Sequence, residues 1–145
     1  MDEIDRAIVA VLEREGRISN SELAARVGLS PSPCLRRVRQ LEETGVIRGY
    51  RAVVDPKAVG RGLRVFAGVR LIRHVRADVA AFEKAVMELA EVRACHHITG
   101  SFDYLLHVEV ADLEAYEAFH ANQLASLPGV ATVNSFVIMK TLDNA

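Results

Sequence analysis

The sequence predicts an α+β chain built from two small domains, and three observations carry that expectation. Apolar residues recur at helical spacing in three short runs before residue 45. Runs of β-branched and aromatic residues dominate after it, and arginines crowd the region where one pattern gives way to the other. With 145 residues, half of them apolar, the chain can fill one ordinary core or two small ones.

The first helix is read from Ile4, Ile8, Val11 and Leu12, which share one face, with Gly16 ending it. Ser19-Asn20-Ser21-Glu22 has the form of a capping box, and Leu23, Ala24 and Val27 follow before Gly28, giving a short second helix. Ser30 then caps a third helix with Pro31 in its first turn, where the missing N–H costs nothing. Leu35, Val38 and Leu41 form its expected buried stripe, and Gly45 stops it. After Gly45, "VIRGYRAVV" reads as a strand resembling a wing, closed by Asp55-Pro56. This gives a first domain over 1–54 (second and third helices about 20–39) and a connection over 55–62. A second domain over 63–145 completes the chain.

In that second domain "LRVFAGVRLI", "VRACHHIT", "DYLLHVEVA" and "VATVNSFVIMK" read as strands, and "DVAAFEKAVMELA" and "LEAYEAFHANQLASL" as helices. The order is βαββαβ, with the middle strands joined across "GSF". That is the split βαβ arrangement, a four-stranded antiparallel sheet with both helices on one face. Val65, Phe66, Leu105, Leu106, Val108, Phe136 and Val137 make both sheet faces apolar, so a second copy is expected to cover the open face as a homodimer.

Net charge is −1, yet the stretch from Arg26 to Arg51 holds six arginines against only Glu42 and Glu43. Such local asymmetry is the footprint of a nucleic-acid-binding module. Cys34 and Cys95 stand far apart and are expected to be free thiols in a reducing cytoplasm. No charged-then-apolar leader is read at Met1-Asp2-Glu3, and no apolar run approaches the roughly 20 residues of a membrane span, so no membrane is expected among the partners.

On the third helix, Ser32, Pro33, Arg36 and Gln40 point away from the expected stripe, with Arg37 and Arg39 on its flanks and Ser30 at its start. The second of two crossed helices enters the major groove of double-stranded DNA by its N-terminal end. There arginine takes guanine O6 and N7, glutamine takes adenine, and flanking arginines meet phosphates. The competing reading is a merely solvated basic face.

"DRAIVAVLEREGRISNSELAARVGLSPSPCLRRVRQLEETGVIRGY", "ITGSFDYLL" and "LPGV" together resemble the Lrp/AsnC, or feast/famine, transcriptional regulators over nearly the whole chain. The resemblance implies a winged helix-turn-helix followed by a ferredoxin-like domain. It also implies dimers that assemble into octamers or related discs, and an amino-acid effector, rather than a cofactor, bound between dimers. By the same resemblance Gly100, Asp103 and Tyr104 belong to the effector loop, with Thr99 and Ser101 beside them. Asp103 would meet the ligand ammonium, and Ser135 would face the same pocket. Residues alone leave another possibility for "TGSFDY", a hairpin in which Asp103 bonds turn amides.

"CHH" at 95–97 with His107 invites a metal reading. Alternation places Cys95 and His97 on one face and His96 on the other, so at most three ligands converge with His107 and no metal site is expected. Cys34 is read as a small packing residue, with a redox role as the alternative. An amino-acid-binding or catalytic ferredoxin-like protein with an incidental basic helix is the rival class. No nucleophile elbow, phosphate loop or paired carboxylates support catalysis, so no enzyme is expected.

Overall fold

The computed structural model describes residues 1–143, which divide into two compact units at Val53/Val54. The first unit contains α1 (Glu3–Arg14), α2 (Asn20–Val27) and α3 (Pro31–Glu43). Asp2 opens α1 with a full capping box, its carboxylate accepting from the Asp5 amide while Asp5 answers toward the Asp2 amide. In α2 the Ser19 hydroxyl accepts from the Glu22 amide at 3.2 Å, and Gly28 ends the helix in the left-handed region at φ 74°. Ile8, Leu23, Ala24, Cys34 and Leu41 form the buried centre, with Ile4, Leu12, Val38 and Ile47 packed around it.

Three local expectations are corrected here. Ser30 holds the N-cap position of α3 but makes no side-chain cap hydrogen bond, so fixed proline geometry at Pro31 does the work of starting the helix. The buried stripe of α3 is Cys34, Val38 and Leu41, and Leu35 lies outside it, 37% exposed. The "VIRGYRAVV" run forms no strand: residues 46–54 carry no regular structure. A strand needs a partner backbone, and this run leads into a 3₁₀ turn at Lys57–Val59 rather than back on itself. It is held to the end of α3 instead, by the Ile47 amide donating to the Leu41 carbonyl at 3.0 Å and the Tyr50 hydroxyl donating to Glu42 at 2.9 Å.

The second unit is β1 (Leu63–Leu71), α4 (Arg76–Met87), β2 (Val92–His97), β3 (Tyr104–Val110), α5 (Leu113–Phe119) and β4 (Val130–Val137). The strands form one antiparallel sheet in the order β2-β3-β1-β4, so β3 lies between the two strands that α4 connects. Val65, Ala67 and Val69 of β1 and Tyr104, Leu106, Val108 and Val110 of β3 are buried, in one core with Phe82 and Val86 of α4 and Tyr116 and Phe119 of α5. The alternating residues Phe66, Leu105 and His107 stand on the other face. The last helix does not run regularly to Leu127. It widens into a π turn at His120–Leu124, which still buries Leu124 and Leu127.

Gly68 marks a close approach. A Cβ there would lie 2.6 Å from the Phe102 ring, which rests on the bare strand and meets Phe136 edge-on at 6.0 Å. Gly68→Ala should therefore dislodge Phe102 and cost about 1–3 kcal/mol, measured by denaturant unfolding. Unchanged stability would mean that the ring does not rest there.

Candidate functional site

The first candidate surface is the outward side of α3. Ser32, Leu35, Arg36, Arg39, Gln40 and Glu43 line one shallow surface, following the i, i+3, i+4, i+7, i+8, i+11 rhythm of a single helix face. Ser30, Ser32, Arg36, Arg39 and Gln40 are exposed, and Pro33 is half-buried. Pro31 and Pro33 stiffen the end of the helix that this surface begins on.

Arg37, expected to reach a phosphate, meets two carboxylates of its own chain. Its guanidinium lies 2.6 Å from Asp2 Oδ2 and 3.1 Å from Asp5 Oδ1, joining α3 to the first turn of α1. The Asp5 amide's hydrogen bond, followed by that from Arg37, holds the Asp2 carboxyl below its ordinary range. Arg26, also counted in the basic stretch, is engaged by Glu15 and by Glu22 at 3.2 Å. Asn20 donates to the Pro31 carbonyl at 2.8 Å and so ties the start of α2 to the start of α3. Sequence reading missed Asn20, Asp2 and Asp5. The excess of acid at Asp2, Glu3 and Asp5 opposite a basic helix was the available signal for the two carboxylates.

The second candidate surface is the turn between β2 and β3. Thr99, Gly100 and Ser101 are exposed, Gly100 adopts φ 112°, and the Ile98 amide closes the turn on the Asp103 carbonyl at 3.0 Å. Asp103 accepts the Leu71 amide at 2.8 Å through one oxygen and meets His74 Nε2 at 2.9 Å with the other. The first of these bonds, then the second, depresses its pKa. Tyr104 faces the helices: it is 2% exposed, packs against Phe82, stacks on His97 and donates to Glu83. Burial, then the bond to Glu83, pushes its phenol well above the usual range. Ser135 shares a hydrogen bond with the Tyr116 hydroxyl, on the α5 side of β4. The turn and these three side chains therefore do not converge on one open pocket within a single chain.

The histidines and Cys95 are separated by register. Cys95 and His97 pair with Leu106 and Tyr104, whereas His96 pairs with Leu105 on the face that carries His107. His107 thus cannot join Cys95 and His97, and burial, with Glu83 adding to it, pushes the Cys95 thiol up to about 11. Burial also raises the Cys34 thiol, which is fully enclosed in the first unit's core. On the open sheet face His107 Nε2, Glu109 Oε2 and Arg61 Nε are enclosed without a hydrogen bond; Arg61 and Glu109 come within 3.7 Å. Glu109 was legible only as a charge at an outward position of a strand.

A family model described as the Lrp/AsnC ligand-binding domain matches residues 64–145, and one described as winged helix-turn-helix DNA-binding matches residues 1–48. The chain belongs to the Lrp/AsnC family of transcriptional regulators. It is 44% identical to the leucine-responsive regulatory protein of Escherichia coli K12 over 97% of this chain and 85% of that protein. A transcriptional regulator from Neisseria meningitidis, solved as a complex with L-Met, is 38% identical and superposes with a TM-score of 0.94 over 99% of this chain and 93% of its own. An AsnC family regulator from Agrobacterium tumefaciens is 35% identical, with a TM-score of 0.92 over 99% and 94%. The family is one of DNA-binding regulators and not of enzymes.

Within this family member, Asp103 spends both oxygens on its own chain, tying the turn to the end of β1. Asp103→Ala should lower the melting temperature at neutral pH. Because the folded carboxyl titrates below the usual 3.8, its contribution is complete above that value and is lost as pH falls through the lower, folded value. The melting gap between wild type and variant should therefore close only at strongly acid pH. A gap absent at neutral pH would free Asp103 for another role.

Proposed function

We propose that this chain is a cytoplasmic, sequence-specific regulator of transcription whose assembly or DNA geometry responds to a small amino-acid-like effector. The observation that carries the reading is the outward face of α3, where Ser32, Arg36, Arg39 and Gln40 stand exposed on a proline-stiffened helix start. Arg36 and Gln40 present bidentate partners to purines, Ser32 beside them can meet a base edge, and Arg39, with Ser30, suits phosphates. Arg37 acts as a positioning residue through Asp2 and Asp5 rather than as a phosphate contact.

For the effector, support comes from the relative solved with L-Met and from the matched ligand-binding model. Thr99, Gly100 and Ser101 offer exposed backbone and hydroxyls for a carboxylate or ammonium. Asp103 and Tyr104 shape the turn from behind, and Ser135 contributes through its bond with Tyr116. The open sheet face, with Phe66 and Leu105 beside a half-exposed Phe136, suits a second copy of the chain. Dimers stacking toward an octamer would then complete the effector site between chains, which accounts for its incompleteness within one. No helix among the described residues is long and apolar enough to cross a membrane.

The test is competition binding with duplexes selected from a random pool, run with and without each amino acid. Arg36→Ala should weaken binding to the selected sequence by about 1–3 kcal/mol while barely changing binding to random DNA. Arg39→Ala should weaken both alike. One amino acid should change wild-type affinity or complex size. Equal losses on both DNAs for Arg36→Ala would make it a phosphate contact, and absence of any selected sequence would remove the reading.

A further inference from the structure

We infer that Leu35 reads the 5-methyl group of a thymine in the major groove. The inference rests on the DNA-reading role of α3 proposed above and adds an apolar specificity determinant to it. An exposed leucine is by itself unremarkable. Its position is what matters. The first unit's core closes on Cys34, Val38 and Leu41, whereas Leu35 is exposed. It stands instead one turn into α3 on the surface shared by Ser32, Arg36, Arg39 and Gln40, at the end of the helix that leads into the groove.

The groove's chemistry then selects the partner. Major-groove edges present hydrogen-bond donors and acceptors at every base, and the thymine methyl is the apolar group among them. Ser32, Arg36 and Gln40 can satisfy the polar edges. None of them gains from meeting a methyl group, whereas the branched tip of leucine does, by removing both apolar surfaces from water. The arginines on either side, Arg36 and Arg39, supply charge complementary to the phosphates that border the groove, so the duplex that they attract is the one that covers Leu35. Without DNA this side chain remains 37% exposed amid polar neighbours.

The test replaces each thymine of a selected duplex by uracil, which removes the methyl and leaves every hydrogen-bonding edge intact, and measures binding by wild type and Leu35→Ala. At one thymine position, uracil should weaken wild-type binding about fourfold, the worth of one buried methyl-sized group. Leu35→Ala should bind more weakly than wild type and be indifferent to uracil at that same position. If no uracil substitution weakens the wild type, the proposal is overturned without recourse to the variant, whatever its folding. If a methyl is felt but the loss is the same in Leu35→Ala, another side chain reads it, and the proposal again fails. Should the wild type bind DNA with no sequence preference at all, the regulatory reading falls first and this one with it.

Discussion

The rotation of α3 about its own axis is the constraint on which the DNA-facing half of this protein depends. One residue along a helix turns the side chain by about 100°, so burying Cys34 rather than Leu35 decides everything that the helix offers to solvent. Cys34 is fully enclosed, and its thiol, pushed up by burial, behaves there as a small apolar group rather than a reactive one. Two polar ties then hold the helix at its chosen rotation and place. Arg37 grips Asp2 and Asp5 of α1, and the Pro31 carbonyl accepts from Asn20 of α2. Arg37 thereby joins α3 to α1, and Ser32, Leu35, Arg36, Arg39 and Gln40 share the face presented outward.

The second unit follows a comparable logic with a sheet. Alternation along β1 and β3 commits Val65, Ala67, Leu106 and Val108 to the helices, which leaves Phe66, Leu105 and His107 on the opposite face. The β2–β3 turn that joins the faces is kept short and closed by Asp103, whose carboxylate reaches back to the Leu71 amide and to His74. Gly68 lets Phe102 lie directly on the sheet beside this turn. The result is an exposed, glycine-containing loop at residues 99–101, hydrogen-bonded at its base through Asp103.

The fold was largely legible because periodicity is strong in every element: three helices ending near glycines, then the βαββαβ order with its short middle turn. The errors lie where a choice depended on neighbours that the sequence does not name. Leu35 and Cys34 are adjacent, and either could begin a helical stripe with Val38 and Leu41; hydrophobicity favoured leucine, yet it is cysteine that is buried with Ile8, Leu23 and Ala24. The 46–54 run has the composition of a strand but no backbone in its own unit to pair with. The resemblance reads Asp103 as meeting a ligand ammonium, while the residues alone also allow a hairpin in which it bonds turn amides. A carboxylate beside a turn serves an amide or a histidine equally well, and here His74 and Leu71 lie within its reach. For the α3 face, residue types were enough to name Ser32, Arg36, Arg39 and Gln40, whereas the fate of Arg37 turned on carboxylates some thirty residues earlier in the chain.

The most direct measurement is a crystal structure of the protein on a duplex that it selects. The account predicts α3 in the major groove with Ser32, Leu35, Arg36 and Gln40 toward base edges, and with Arg37 still on Asp2 and Asp5. A complex in which Arg37 has left those carboxylates for a phosphate, or in which α3 turns its Leu35 face away from the bases, would contradict it.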